Sequence, residues 1–241
     1  MIRAVLFDLD NTLLDFMRMK RNAVEAGVGA MIDSGMPLSH DEATQRIFEI
    51  YGEQGIEYQE VFDQFLSERF GSINPKWLAA GIVAYRRARE AALVLYPHVN
   101  YTLIELLKRG LRLAVISDAP RKEVWLRLCY LDLHHIFDPV ITFEDTGRRK
   151  PSPQPFERAL ELLKMEPHEV VMVGDWPERD MVGAKRMGIR TVFARYGDTF
   201  GTEESGADFE IADLSELLGI LNRLDDEIAA EPPLQSASTD K

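Results

Sequence analysis

The chain is predicted to fold as an α/β protein: a parallel-sheet core with an α-helical module inserted after its first strand. Short apolar runs recur after helical stretches, which is the pattern of repeated βα units. One long segment, from about Phe16 to Leu95, breaks that alternation with helical periodicity and no convincing strand. The first apolar run, Val5-Leu6-Phe7, ends in Asp8-Leu9-Asp10. Carboxylates at the edge of a buried strand must be paired, metal-bound or solvated.

The elements follow in order. Strands are expected at Ala4–Phe7, Leu113–Ile116, Val140–Thr142, Val170–Val173, Thr191–Ala194 and Phe209–Ile211. Each is a short apolar run of the kind a sheet buried on both faces requires. Helices are expected at Tyr101–Lys108, Lys122–Leu131, Phe156–Leu163, Arg179–Met187 and Leu214–Leu224. Gly110 and Gly188 supply helix stops, and Pro151, Pro153 and Pro155 favour a helix start. Inside the inserted module helices are expected at Ala23–Ile32, Ser39–Tyr51, Tyr58–Phe70 and Pro75–Leu95. Val61, Phe62, Phe65, Leu66 and Phe70 fall on one face of the third. Residues 1–15 and 96–224 thus form the expected α/β core and 16–95 the helical module. Residues 225–241 are expected to be an acidic, disordered tail, since Pro232–Lys241 has little to pack.

Composition narrows the function. The chain has 241 residues, 46% hydrophobic and 28% charged, an ordinary globular balance. No apolar stretch approaches the roughly 18 residues of a spanning helix, and the N-terminus lacks a signal-peptide pattern. The single cysteine, Cys129, sits in an apolar helical pattern and reads as a packing residue. A reducing cytoplasm is the expected location, with no membrane partner. Of the net charge of −12, nine units lie in residues 203–241, which carry eleven acids against two bases. The acidity therefore need not describe the active site, but it argues against a nucleic-acid partner, which wants a basic face.

Further polar residues follow other strands: Ser117-Asp118, Gly147-Arg148-Arg149-Lys150-Pro151, and Gly174-Asp175 with Asp180. Parallel strands deliver their C-terminal ends to one edge of the sheet, where ligands bind. Carboxylates, one hydroxyl and one lysine suit metal-assisted attack on a phosphate. Carboxylates hold a hard cation, and lysine supplies a compact positive charge for phosphate oxygens.

In these motifs the chain resembles the haloacid dehalogenase (HAD) superfamily, in the subfamily with an α-helical cap after the first strand. The resemblance covers about residues 1–222. Its four motifs occur in register: Asp8-Leu9-Asp10-Asn11-Thr12, Ser117, Lys150-Pro151, and Gly174-Asp175 with Asp180. It implies a Rossmann-like core and a Mg²⁺-dependent phosphatase acting on a small phosphorylated metabolite. Asp8 would be the nucleophile, forming an aspartyl-phosphate and binding the metal through its other oxygen. Asp10 would act as acid and then base, with its backbone carbonyl on the metal. Asp175 would be a further metal ligand, supported by Asp180, and Ser117 and Lys150 would hold phosphoryl oxygens.

Asp10 disfavours the dehalogenase alternative, whose departing halide needs no proton. A phosphomutase shares every core motif and is the nearer rival. A non-catalytic binding module would have lost a core residue, and none is missing. A receiver-type phospho-acceptor domain is about half this length. Asp118 stands where the family often has asparagine, and it reads as the cap of the helix starting near Arg121. Trp176 is expected to pack its loop, most of Arg86, Arg87 and Arg89 to form a solvated face, with one of them reaching the substrate as the alternative, and Arg148 and Arg149 to be surface charge. His98, His134, His135 and His168 have no metal-ligand spacing. The Gly52–Glu57 loop joins two cap helices and is the expected specificity element.

Overall fold

A computed structural model describes residues 1–230 of the chain. Six parallel strands form one sheet: β1 (Ala4–Phe7), β2 (Arg112–Ile116), β3 (Val140–Ile141), β4 (Val170–Gly174), β5 (Arg190–Ala194) and β6 (Phe209–Ile211). Their spatial order is β3-β2-β1-β4-β5-β6, the doubly wound, Rossmann-like order. β1 is central, in register with β2 through Phe7↔Val115 and with β4 through Phe7↔Val173. The chain first builds outward to β3, then returns to β4 on the other side of β1. The sheet's direction of growth reverses beside β1, so the residues after Phe7 stand at the switch point where such sheets bind ligands.

The alternation of side chains explains why β1 is apolar throughout. Val5 and Phe7 enter one core layer with Leu103, Val115 and Leu217; Ala4 and Leu6 enter the other with Phe156, Met172 and Ala184. Around the sheet pack α5 (Val99–Lys108), α6 (Arg121–Tyr130), α7 (Phe143–Thr146), α8 (Pro153–Leu163), α9 (Val182–Arg186) and α10 (Leu217–Ala230). No helix of the described residues is long and apolar enough to cross a membrane.

Between β1 and α5 lie four helices and no strand: α1 (Phe16–Asp33), α2 (His40–Gln54), α3 (Val61–Phe70) and α4 (Pro75–Ala91). They enclose their own core, including Val28, Met31, Ile47, Phe62 and Phe65. Ser39 caps α2 and Asn74 caps α4, whose first residue is Pro75. The two chain segments that leave and rejoin the sheet domain are tied to each other. Asp15 N–H donates to the Val94 carbonyl at 3.2 Å and Tyr96 N–H to that of Leu13 at 3.0 Å.

Several elements differ from expectation. Thr142 is not in β3; its hydroxyl and backbone join Asp145 in a capping box that starts the short α7. The helix expected over Arg179–Met187 divides into a wide π turn, Pro177–Met181, followed by α9. That turn brings Asp180 inward, where Oδ2 accepts from Trp176 N–H at 3.1 Å. α10 continues to Ala230, beyond the boundary expected at 224, and residues 231–241 of the expected tail lie outside the described residues. Cys129 is exposed rather than packed, because the buried stripe of α6 runs through Val124, Arg127 and Leu128 and turns position 129 outward.

Candidate active site

The acidic pair is presented by a sharp turn. Asp8 N–H continues the sheet ladder by donating to Val173 C=O at 2.9 Å. Asn11 then takes a left-handed φ of 59°, which asparagine tolerates better than most residues. Its Oδ1 accepts from Met17 N–H at 3.0 Å, fixing the start of α1. Across the turn the Tyr196 hydroxyl donates to the Thr12 carbonyl at 2.7 Å. A Cβ at Gly197 would overlap the Asn11 carbonyl, so only glycine permits that approach.

Four of the expected site residues converge. Lys150 Nζ lies 2.5 Å from Asp8 Oδ1, 2.6 Å from Asp180 Oδ1, and 3.0 Å from the Ile116 carbonyl. Thr12 Oγ1 donates to Asp175 Oδ1 at 3.1 Å. Asp8, Asp175, Asp180 and Lys150 are all buried. A Cβ at Gly174 would collide with the Asp180 carboxylate, so glycine before Asp175 makes room for the second acid. Ser117 is buried at the end of β2; its N–H donates to Ile141 C=O at 2.9 Å and its Oγ accepts from Ala119 N–H at 3.2 Å.

Three carboxylates around one ammonium leave negative charge in excess. Burial, then repulsion from Asp8 and Asp180, pushes the Asp175 carboxyl well above the usual range, against the pull of Lys150 and Thr12. Burial raises Asp180 to about 7, with Lys150 opposing and Asp8 reinforcing. Burial alone would depress the Lys150 ammonium, but Asp180, Asp8 and Asp118 outweigh it and hold the proton on. Side-chain oxygens of Asp8, Asp175 and Asp180 lie within 4.8 Å of one another. A crowded set of hard oxygen donors with uncompensated charge fits a divalent cation such as Mg²⁺.

Asp10 stands apart from that cluster. Its Oδ2 accepts from Arg127 Nη1 at 2.6 Å, while Oδ1 is buried without a hydrogen-bond partner among the described residues. Burial raises its carboxyl to about 7; Arg127 opposes this, and Glu57 and Asp8 add to it. Arg127 also ion-pairs Glu57, and its guanidinium stacks 4.6 Å from the Phe16 ring. A core helix, the acidic pair and the loop between α2 and α3 therefore meet at one buried arginine.

Sequence reasoning missed Arg127 and gave Thr12 no role. Arg127 is masked by its apolar helical neighbours; the i, i+3, i+4 spacing of Val124, Arg127 and Leu128 is the signal that could have found it. The expected helix-cap role of Asp118 is overturned. Pro120 occupies the N-cap position of α6, and Asp118 instead accepts from Lys150 N–H at 2.9 Å and Arg179 Nη1 at 3.0 Å. The loop carrying Lys150 is held by that carboxylate. Trp176 packs its loop, with the Arg179 guanidinium 3.6 Å over its ring and Phe200 at 4.5 Å. Arg86 and Arg87 are exposed and Arg89 is half-buried; Arg86 and Arg89 also line a cleft of about 130 Å³ between the helical module and α6, together with Glu57 and Arg127.

The chain belongs to the haloacid dehalogenase-like hydrolase family, whose sequence model matches residues 5–194. Within that family it is a phosphatase of the HAD type. It is 33% identical over 225 residues to the glyceraldehyde 3-phosphate phosphatase of Pyrococcus furiosus, covering 92% of this chain and 94% of the relative. It is 35% identical over 227 residues to that of Methanocaldococcus jannaschii, with 93% and 99% coverage. The crystal structure of a HAD phosphatase from Thermococcus onnurineus superposes with a TM-score of 0.68 at 29% identity, covering 91% and 98% of the two chains.

Proposed function

We propose that the chain hydrolyses a small phosphomonoester in a Mg²⁺-dependent reaction that passes through an aspartyl-phosphate on Asp8. The observation that carries this reading is the division of the acidic pair between two environments. Asp8 lies 2.5 Å from the Lys150 ammonium, whereas Asp10 sits in a separate buried niche that raises its carboxyl to about 7, so that it can hold a proton near neutral pH.

A carboxylate oxygen of Asp8 attacks phosphorus as the bond to the leaving alcohol breaks, and Asp10 gives its proton to that oxygen. Asp10 then takes a proton from the water that attacks the aspartyl-phosphate. Inorganic phosphate leaves, and both carboxyl groups return to their starting states. Ser117 and Lys150 hold phosphoryl oxygens, and Asp118 keeps Lys150 in place. Asp8, Asp175 and the Asp10 backbone carbonyl would hold Mg²⁺, supported by Asp180; the cation offsets repulsion between anionic nucleophile and anionic phosphate.

The relatives' names make glyceraldehyde 3-phosphate the first substrate to assay. Phosphate release is measured over a panel of small phosphoesters, with Mg²⁺ and with chelator. Metal-dependent release of free phosphate supports the reading. Turnover that needs a sugar bisphosphate primer and yields an isomer instead would identify a phosphomutase.

A further inference from the structure

Lys20 is only 4% exposed, an unusual position for a lysine. It lies in the first turns of α1, just after Phe16, on whose ring Arg127 stacks. Its Nζ sits 4.2 Å from the centre of the Tyr51 ring and 5.6 Å from that of Tyr85. It has no hydrogen bond or ion pair among the described residues. Two aromatic faces replace only part of the hydration that an ammonium surrenders on burial.

Lys20, Tyr51 and Tyr85 all line the cleft that ends at Arg127. Of the other charges on its walls, Arg86 and Glu90 are exposed to solvent, and the rest are paired. Glu57 is held by Arg127, and Glu123 lies 3.4 Å from Arg89. Lys20 is the buried cation that presents its charge to the cleft without a counter-ion. The cleft adjoins Asp10 through Arg127 Nη1. Asp10 protonates the leaving oxygen, so the remainder of the leaving alcohol extends to this side.

We propose that Lys20 is a substrate-binding residue whose ammonium takes an anionic oxygen group, a carboxylate or a second phosphoryl, carried by the leaving alcohol. The inference rests on the assignment of Asp10 as the acid and narrows the substrate class. An ester with a neutral far end, such as glyceraldehyde 3-phosphate, leaves Lys20 unmatched. An ester with an anionic far end supplies the missing partner.

The test compares three esters: 2-phosphoglycolate for the carboxylate, fructose 1,6-bisphosphate for the second phosphoryl, and glycerol 3-phosphate as the neutral control. kcat/KM is measured for wild type, Lys20→Met and Lys20→Arg, with thermal unfolding of each. Wild type is expected to favour one anionic ester over the control. Lys20→Met should reduce that preference about 10- to 100-fold, mainly through KM, the loss expected for a hydrogen bond to a charged group. Lys20→Arg, which keeps the charge, should retain most of it. The anionic ester that suffers identifies the group bound.

Binding of the same esters to Asp8→Asn, by calorimetry with and without Lys20→Met, reads the site without turnover. It separates a failure of this inference from a failure of the catalytic assignment. A preference that survives Lys20→Met, an equal loss for all three esters, or no anionic preference in wild type and in Asp8→Asn binding would overturn the proposal.

Discussion

Arg127 Nη1 donates to Asp10 Oδ2 at 2.6 Å, and the same guanidinium closes an ion pair with Glu57 of the inserted helical module. The residue proposed as general acid is thus held from α6 and, at one remove, from the loop after α2. Removing a partner from a buried ion pair strands the charges left behind. Arg127→Ala is expected to lower stability by about 3 kcal/mol, read by denaturant unfolding, because Asp10 and Glu57 lose their shared cation. It should slow turnover of alkyl phosphates more than p-nitrophenyl phosphate, since misplacing Asp10 matters only where a proton must be delivered. Equal effects on both esters would assign Arg127 to the fold alone.

Asp8→Asn is expected to reduce turnover about 10⁴-fold or more while the protein stays folded. The amide supplies neither the nucleophilic oxygen nor the charge. Lys150 keeps its contact with Asp180, and one source of repulsion on Asp175 disappears, so thermal unfolding should shift little or upward. A variant retaining most of its phosphatase activity would remove Asp8 as nucleophile.

Asp10, raised to about 7 chiefly by burial, must carry its proton to act as acid. Below that pH it is protonated in the free enzyme; above it the proton is lost. kcat/KM for an alkyl phosphate should therefore fall as pH rises through about 7. The fall should be shallow or absent for p-nitrophenyl phosphate, whose leaving group departs without a proton. In Asp10→Asn the basic limb should vanish together with most of the alkyl phosphatase activity. A basic limb of unchanged midpoint in that variant would trace it to another group.

Metal removal is the next test. Asp8 and Asp180 share the Lys150 ammonium and Asp175 crowds against them with no ion pair of its own among the described residues, so a divalent cation should bind the folded protein and stabilise it. Mg²⁺ added to chelator-treated protein is expected to raise the Tm and restore activity together. Asp175→Asn should weaken both responses. Full activity after exhaustive chelation would refute the metal requirement.

Much of this architecture is written locally. The apolar runs of β1, β2, β4 and β5 have the length and composition of strands buried on both faces, and the acids after β1 and β4 interrupt them at the sheet edge. The absence of a strand between Phe16 and Leu95 is likewise a property of periodicity alone. Arg127, Asp118 and Lys20 are different. Each occupies an ordinary-looking position, and its role comes from partners far away in sequence: Asp10 for Arg127, Lys150 and Arg179 for Asp118, Tyr51 and Tyr85 for Lys20. The π turn at Pro177–Met181 was hidden for the same reason. It follows from where Asp180 must point, which no helical periodicity encodes.

The last prediction concerns the Gly52–Glu57 loop. We propose that residues 16–95 act as a cap whose closure excludes water and selects substrate. Glu57 is the loop residue placed to do this, because it lines the cleft and ion-pairs Arg127; Gln54 is exposed at the end of α2. Glu57→Ala should change the ranking of phosphoesters by kcat/KM, with shifts of about tenfold between substrates whose leaving groups fill the cleft differently. Gln54→Ala should leave the ranking as it is, and the double variant should match Glu57→Ala. p-Nitrophenyl phosphate should respond least, since its flat leaving group makes few polar contacts and needs no proton from Asp10. The two segments that join the module to the sheet domain, paired through Asp15 and Tyr96, are the hinge this motion requires. Hydrogen exchange with and without vanadate, a phosphate mimic, should show protection at Glu57 and at these segments together. An unchanged ranking in Glu57→Ala would place specificity outside the loop, and protection confined to the sheet domain would argue against closure.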